Sequence, residues 1–287
     1  INFQKGEIFM KKIILKFMLA ITLPFLALPI LAQDVNSTDS GLIINGGLGY
    51  GATTFGIIPD STDEGDLGTG PGGALFLGAM FNYSIISFGV NYARASFNDM
   101  EWKETISGTE HEFKSYGDGN FSTWTFLLGI KAFTEAGDMG YTNIYGGYRF
   151  WNAKRTIDYQ TLDSIKVPNS DSEYELSGKG WIIGFKDLST FPLGLFSLAL
   201  QTGLWYANTP VNTLKANGVK ADITKDQTAG FGFDIGAGLA FEDIGLSVIA
   251  GLTMDLTAST FKEAGNDNVA GAGYAEFYIN VAKEFAF

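Results

Sequence analysis

The stretch FGFDIGAGLAF (231–241) repeats every two residues. Phe231, Phe233, Ile235, Ala237, Leu239 and Phe241 alternate with Gly232, Asp234, Gly236, Gly238 and Ala240. Successive side chains of a strand point to opposite faces, so this pattern defines a ribbon with one bulky face and one small or polar face. LSVIAGLTMDL (246–256) repeats the pattern. Ten such segments are predicted, at 41–55, 72–83, 85–97, 121–133, 141–156, 177–187, 194–207, 228–241, 245–261 and 270–287. Short turns at 82–84, 134–140, 188–193 and 242–244 alternate with long polar connections at 56–71, 98–120, 157–176, 208–227 and 261–269. The last strand runs to the final residue, with Phe277, Ile279, Val281, Lys283, Phe285 and Phe287 on one face. A last residue normally frays, so an apolar strand that reaches it needs a partner to hold it.

The face opposite the bulky one is made of Gly, Ala, Ser, Thr, Asn and charges, and is expected to be too small and polar for a dry core. That argues against a soluble barrel or sandwich and turns the bulky face toward lipid. In hydrocarbon every backbone amide must be paired, so the sheet must close and leave no edge. The expected fold is all-β, a transmembrane antiparallel up-and-down β-barrel of about ten strands. The terminal Phe287, preceded by Phe285, Val281 and Ile279, resembles the assembly signal of bacterial outer-membrane β-barrel proteins, small porin-like or surface barrels among them. The resemblance covers the architecture of 41–287 and singles out no subfamily. It implies insertion by the barrel-assembly machinery, lipid of the outer membrane as surroundings, and closure of the last strand on the first. Lys283 departs from the pattern.

Met10-Lys11-Lys12, Lys16 and the uncharged run FMLAITLPFLALPIL, closed by Ala32, have the anatomy of a secretory signal peptide. About fifteen apolar residues with two prolines are short for a helix that needs roughly 20 to span a bilayer. The chain is therefore expected to divide into an upstream mistranslated segment (1–9), a signal peptide (10–32) cleaved near Ala32, a short periplasmic segment (33–40) and the barrel (41–287). Codons for Lys5-Gly6-Glu7 can spell a ribosome-binding sequence ahead of a start at Met10.

The net charge of −12 excludes nucleic acid as a partner, whose recognition needs basic patches. The absence of cysteine excludes disulfides, thiolate metal sites and thiol catalysis. Acidity collects in the long connections, with Asp60, Asp63, Glu64 and Asp66 in the first and Asp158, Asp163, Asp171, Glu173 and Glu175 in the third. Such carboxylates can gather divalent cations. DSTDEGD lacks the full spacing of a calcium loop, so no metal site is predicted, and no cofactor. By parity the outward basic residues Arg94, Lys154, Lys179 and Lys283 fall near strand ends, where long side chains reach the interface. Aromatics at the strand ends, such as Tyr50, Tyr92, Trp124 and Trp181 on one side, suit interfacial girdles.

Parity sends Lys131, Arg149, Arg155 and Lys186 inward on strands four to six, and Asp234, Asp255, Glu276 and Glu284 inward on strands eight to ten. If that lumen is wet, the opposed charges set up a transverse field, and the protein is a small passive channel for ions or polar solutes. If it is tight, the charges pair across it, Arg149 with Asp234, Asp255 or Glu276, and plug the barrel. The long connections would then be the working part, binding a surface partner through Trp102, Phe113 and Tyr116. Inward glycines leave room for the first; a ten-strand circumference favours the second. The single histidine, His111, lies in TEHEFKSY with Glu110, Glu112 and Ser115. Ten strands also resemble the omptin proteases, whose histidine pairs with acids on another strand region; no second-half histidine is present here, and catalysis is not expected.

Overall fold

The computed structural model describes residues 40–286 apart from 60–63, 66–67, 107, 134–139 and 264–265. The predicted leader and signal peptide, Phe287, and Asp60, Asp63 and Asp66 lie outside the described residues. In chain order the strands begin with β1 (Gly41–Pro59), β2 (Glu64–Gly65), β3 (Gly68–Tyr83), β4 (Ile86–Phe97), β5 (Met100–Ile106) and β6 (Thr109–Tyr116). They continue with β7 (Gly119–Phe133), β8 (Tyr141–Ile157), β9 (Tyr159–Leu162), β10 (Ile165–Val167), β11 (Ser172–Pro192) and β12 (Ser197–Asn208). The last are β13 (Val211–Ala216), β14 (Val219–Lys220), β15 (Ile223–Phe241), β16 (Leu246–Glu263) and β17 (Asn266–Ala286).

Ten of these form a closed antiparallel ring, β1–β3–β4–β7–β8–β11–β12–β15–β16–β17. β17 returns to β1 in an unbroken register from Gly41↔Ala286 to Pro59↔Asn268. The last strand is therefore held along its length by the first. Lys283, the one lysine on its apolar face, donates to the carbonyl of Ile244 and lies 5.4 Å from the centroid of the Phe285 ring.

The strands extend further at the long-connection end than the sequence pattern suggested, and the long connections are themselves largely β-structure. β5 continues β4, β6 leads into β7, and the two form a hairpin with Trp102↔Phe113 and Glu104↔His111 in register. β9 continues β8 and pairs with β6, and β10 folds back on β9. Together with β2, which pairs with β5, they make a sheet standing above the barrel wall. On the far side β13 pairs with β11, with a register shift at Ser177/Gly178. The break between β12 and β13 falls at Thr209-Pro210, where proline has no amide to donate. Trp151 Nε1 fills the gap, donating to the carbonyl of Thr209 at 2.9 Å. A Cβ on Gly178 would lie 2.3 Å from that indole nitrogen, so only glycine admits the bond.

A second departure concerns the inner face, which is not uniformly small and polar. Along each strand the two faces exchange character. On β8 the outward Ile144, Tyr148 and Phe150 are exposed, and the next outward residues are Asn152 and Lys154. The inward Asn143, Gly147 and Arg149 give way to the buried Trp151 and Ala153. On β4, Phe88, Val90 and Tyr92 face out until Arg94 and Ser96, while Ser87, Gly89 and Asn91 face in until Ala95 and Phe97. β1 does the same, from outward Leu48 and Tyr50 to Ala52 and Thr54, with Phe55 turned inward. The lower section is built for lipid outside, and the upper section is a water-facing barrel with a dry interior. The apolar outer band spans about the nine to eleven residues of a transmembrane strand.

Candidate functional site in the barrel interior and the outer sheet

Inward side chains fill the lumen in layers. At the outer level Phe55, Phe97, Met100, Phe121, Trp151, Leu176, Val211, Leu214, Phe261 and Tyr274 form one buried apolar cluster. Phe121 sits with its ring centroid 6.3 Å from that of Trp151 and 6.1 Å from that of Tyr274. Near the short-turn end a smaller cluster of Tyr141, Leu188, Ala199, Ala240, Ile249 and Tyr278 closes in. Between them lies a partly open cavity of about 160 Å³ with many polar side chains in its wall. A smaller cavity of about 30 Å³ below it shares Asn45, Lys186, Gln201 and Asn280 with the larger one.

The predicted lumen charges separate into distinct roles. Arg149 on β8 reaches across the barrel to Asp255 on β16, Nη2 to Oδ2 at 2.6 Å, with both side chains at most 5% exposed. A buried pair of this kind is costly to break, because the survivor is left as an uncompensated charge. Asp234 is held by neutral donors: Gln201 Nε2 at 2.8 Å and the Tyr278 hydroxyl at 2.5 Å. Lys186 lines both cavities, and Glu284 the lower one. Lys131 occupies an inward position near the short-turn end, its amide bonded to the carbonyl of Ile85.

Two of the predicted charges are not part of a central cluster. Arg155 is buried at the outer end, where the chain leaves the barrel for the upper sheet. Its guanidinium donates to the carbonyls of Asn98, Gly117 and Ser115 and to Ser115 Oγ, and lies 5.6 Å from the centroid of the Phe97 ring. It ties the base of the β5–β6 hairpin to β8, because its fixed fork of donors meets carbonyls at the end of β6 and at the β4–β5 and β6–β7 junctions. Glu276 is also fully buried, but against Gly49 and Phe76 rather than Arg149. Neither of its oxygens has a hydrogen-bond partner among the described residues. A Cβ on Gly49 would lie 2.5 Å from Glu276 Oε2, so a side chain there would displace this carboxyl group. Parity identified the inward direction of both residues, while their height along the barrel decided their partners.

In the outer sheet, Trp102 and Phe113 stack at 5.3 Å and 9°, and Tyr116 stacks on Tyr159 at 4.4 Å and 14°. All three predicted binding residues are therefore held by cross-strand contacts and half-exposed. Lys114 bridges Glu101 and Glu112 at 2.9 and 3.0 Å, and the hydrogen bonds it donates to both carboxylates raise its pKa. The Ser-His-acid grouping suggested by TEHEFKSY does not assemble. Ser115 Oγ accepts from Arg155, while His111 Nδ1 lies 2.7 Å from Asp163 Oδ2. Asp163 was not singled out for this contact. It occupies the left-handed turn between β9 and β10, and its Oδ1 accepts the Glu112 amide at 2.9 Å. The His111 bond, then the amide, hold its carboxyl below the usual 3.8. The turn pair Asp163-Ser164 was a legible hairpin signal, but its docking on β6 was not.

A closed ten-stranded antiparallel ring with an apolar outer band is the fold of the bacterial outer-membrane β-barrels. No family model matches the sequence, and no curated protein matches it at the level of sequence. Among solved structures, the outer membrane protease OmpT from Escherichia coli aligns over 87% of this chain and 98% of its own, at 10% identity and a TM-score of 0.57. The transport unit of the autotransporter AIDA-I from Escherichia coli aligns over 89% and 94% at 10% identity with a TM-score of 0.38. OprG from Pseudomonas aeruginosa does so over 88% and 98% at 12% identity with a TM-score of 0.37. At these identities the likeness to OmpT is one of fold.

Two outcomes follow from this geometry. Arg149→Met should cost about 3–5 kcal/mol, and adding Asp255→Leu should restore most of it, because the second change removes the stranded charge. Urea unfolding midpoints in phospholipid vesicles measure both; a double variant as weak as the summed singles would contradict the pairing. The Asp163 contact should respond to acid. Its folded pKa is depressed, so its contribution is complete above 3.8 and is lost as pH falls through the lower folded value. Hydrogen exchange at the Glu112 amide should therefore remain protected down to that range, and His111→Ala should move the loss upward toward 3.8.

Proposed function

We propose that this protein is a sealed barrel of the outer membrane that works through its outer sheet, as a platform that binds a partner at the cell surface. The observation that carries this reading is the layering of the lumen. A cavity with many polar side chains in its wall lies between two apolar clusters, and the outer cluster is built from interlocked aromatic rings rather than from a mobile segment of chain. Dry aromatic packing of this kind opposes passage of hydrated ions, since each ring withdrawn from it forfeits roughly 1.5–3 kcal/mol of burial.

The outer sheet has the features of a presented surface. It is braced at its base by Arg155, stiffened by two aromatic stacks, and locked to the β9–β10 turn through Asp163. Trp102, Phe113 and Tyr116 are the binding residues of this reading, set among the acidic side chains of the β5–β6 hairpin, which can also gather divalent cations. His111 is assigned a structural task in the Asp163 contact and no catalytic one. The second reading is a small passive channel, favoured by the continuity of the two cavities through Asn45, Lys186, Gln201 and Asn280. It requires the outer aromatic layer to open.

Planar-bilayer recording separates the two. The refolded wild type should give no discrete conductance steps, and a Phe121→Gly/Trp151→Gly variant, which hollows the outer layer, should conduct. Steps in the wild type under the same conditions would overturn the sealed reading.

A further inference from the structure

At the height just above the apolar band, the exposed outward cations lie on one side of the barrel; Lys283 on β17 sits at the short-turn end and is engaged by the carbonyl of Ile244. Register places Arg94 on β4 beside Ser122 on β7, Ser122 beside Asn152 on β8, and Asn152 beside Ser177 on β11. All four point outward, on four consecutive strands. The adjoining outward row, one step toward the membrane, reads Tyr92, Trp124, Phe150 and Lys179. Tyr92 and Trp124 lie 4.7 Å apart between ring centroids, and Phe150 meets Phe126 and Tyr148 edge-on at 6.3 and 5.1 Å. Arg94 and Lys179 are exposed and make no ion pair among the described residues, whereas Lys154 above them is engaged by Glu173 at 3.0 Å. On the opposite side, the outward positions just above the apolar band are small and uncharged: Ala52 and Thr54 on β1, Ala258 on β16, Gly273 and Ala275 on β17.

A lysine or arginine facing lipid costs roughly 2–4 kcal/mol at mid-membrane and about 0–1 kcal/mol near the interface. Two cations without an ion pair among the described residues, Arg94 one step above an aromatic shelf and Lys179 at its edge, call for an anion at that depth, and the anion available there is the headgroup of a lipid in the same leaflet. Arg94 offers a planar fork suited to phosphate oxygens, and Lys179 a point charge. Ser122, Asn152 and Ser177 between them offer hydrogen bonds to further headgroup oxygens, and the rings below face the acyl chains.

We propose that the outward faces of β4, β7, β8 and β11 bind the phosphorylated headgroup of an outer-leaflet glycolipid, with Arg94 and Lys179 holding its phosphates. The proposal rests on the lipid-facing assignment of the outer band and is independent of whether the lumen conducts.

The test uses the full refolded barrel in zwitterionic detergent, titrated with diphosphorylated lipid A, with its dephosphorylated counterpart, and with inorganic phosphate, bound lipid being read by native mass spectrometry. Wild type should prefer the diphosphorylated lipid about tenfold or more, as charge-assisted phosphate contacts allow. Arg94→Gln/Lys179→Gln should lose most of that preference, and Arg94→Lys/Lys179→Arg should retain it. The single variants Arg94→Gln and Lys179→Gln, each expected to lose part of it, serve should the double variant fail to fold. Equal binding of the two lipids, or neutral variants indistinguishable from wild type, would overturn the proposal. So would displacement of bound lipid by inorganic phosphate in large excess, which would make the site one for free phosphate. Failure of the wild type to insert into bilayers would instead remove the lipid-facing assignment itself.

Discussion

The structure depends on the pairing of β1 with β17. An amide left unpaired in hydrocarbon costs several kcal/mol, so a ten-stranded sheet in lipid either closes completely or does not insert. Here the closing seam runs from Gly41↔Ala286 to Pro59↔Asn268, which gives the apolar last strand a partner as far as Ala286. Closure also fixes an inside, and the side chains that point there need no longer satisfy the lipid. They can be charged, as Arg149 and Asp255 are, or aromatic, as Phe121 and Trp151 are, according to what surrounds the wall at that height.

Height along the barrel is the second organising variable. Period-two alternation survives from one end of each strand to the other, but its sense reverses where the wall leaves the membrane. Below that level the bulky residues face out and the polar ones in; above it Trp151, Phe97 and Phe55 turn inward while Lys154, Arg94 and Ser96 face water or headgroups. A single strand thus belongs to two environments, and the boundary between them also separates the polar cavity from the dry layer above it.

Much of this was legible in the sequence. Ten strands, their antiparallel order and the inward direction of the lumen charges follow from counting in twos; rough strand height left Asp234, Asp255 and Glu276 open as partners of Arg149, and the structure pairs it with Asp255. The reversal is also written there, in ARASF after GVNY and in WNAKR after YGGYRF, although a strand taken as uniform from end to end predicts an inner face that is small and polar throughout. The upper hairpins were hidden for a different reason. Their residues are polar and charged because both faces of a sheet above the membrane can meet water, and short polar segments carry little hydrophobic period. Parity gives direction and not height, so it groups Arg155 with the lumen charges although its partners lie at the outer end. The His111–Asp163 contact joins segments 52 residues apart, a distance over which no local signal operates.

The reversal of faces is the central claim, and the absence of cysteine makes it directly measurable. Single cysteines placed in turn along β8 from position 148 to 154, in the barrel inserted into lipid vesicles, can be probed with a water-soluble maleimide and, separately, with a lipid-confined quencher of an attached fluorophore. The account predicts lipid contact at 148 and 150, water contact at 152 and 154, and protection from both probes at the inward positions 151 and 153. Ready maleimide labelling at 151 and 153, with lipid contact persisting at 152 and 154, would contradict it.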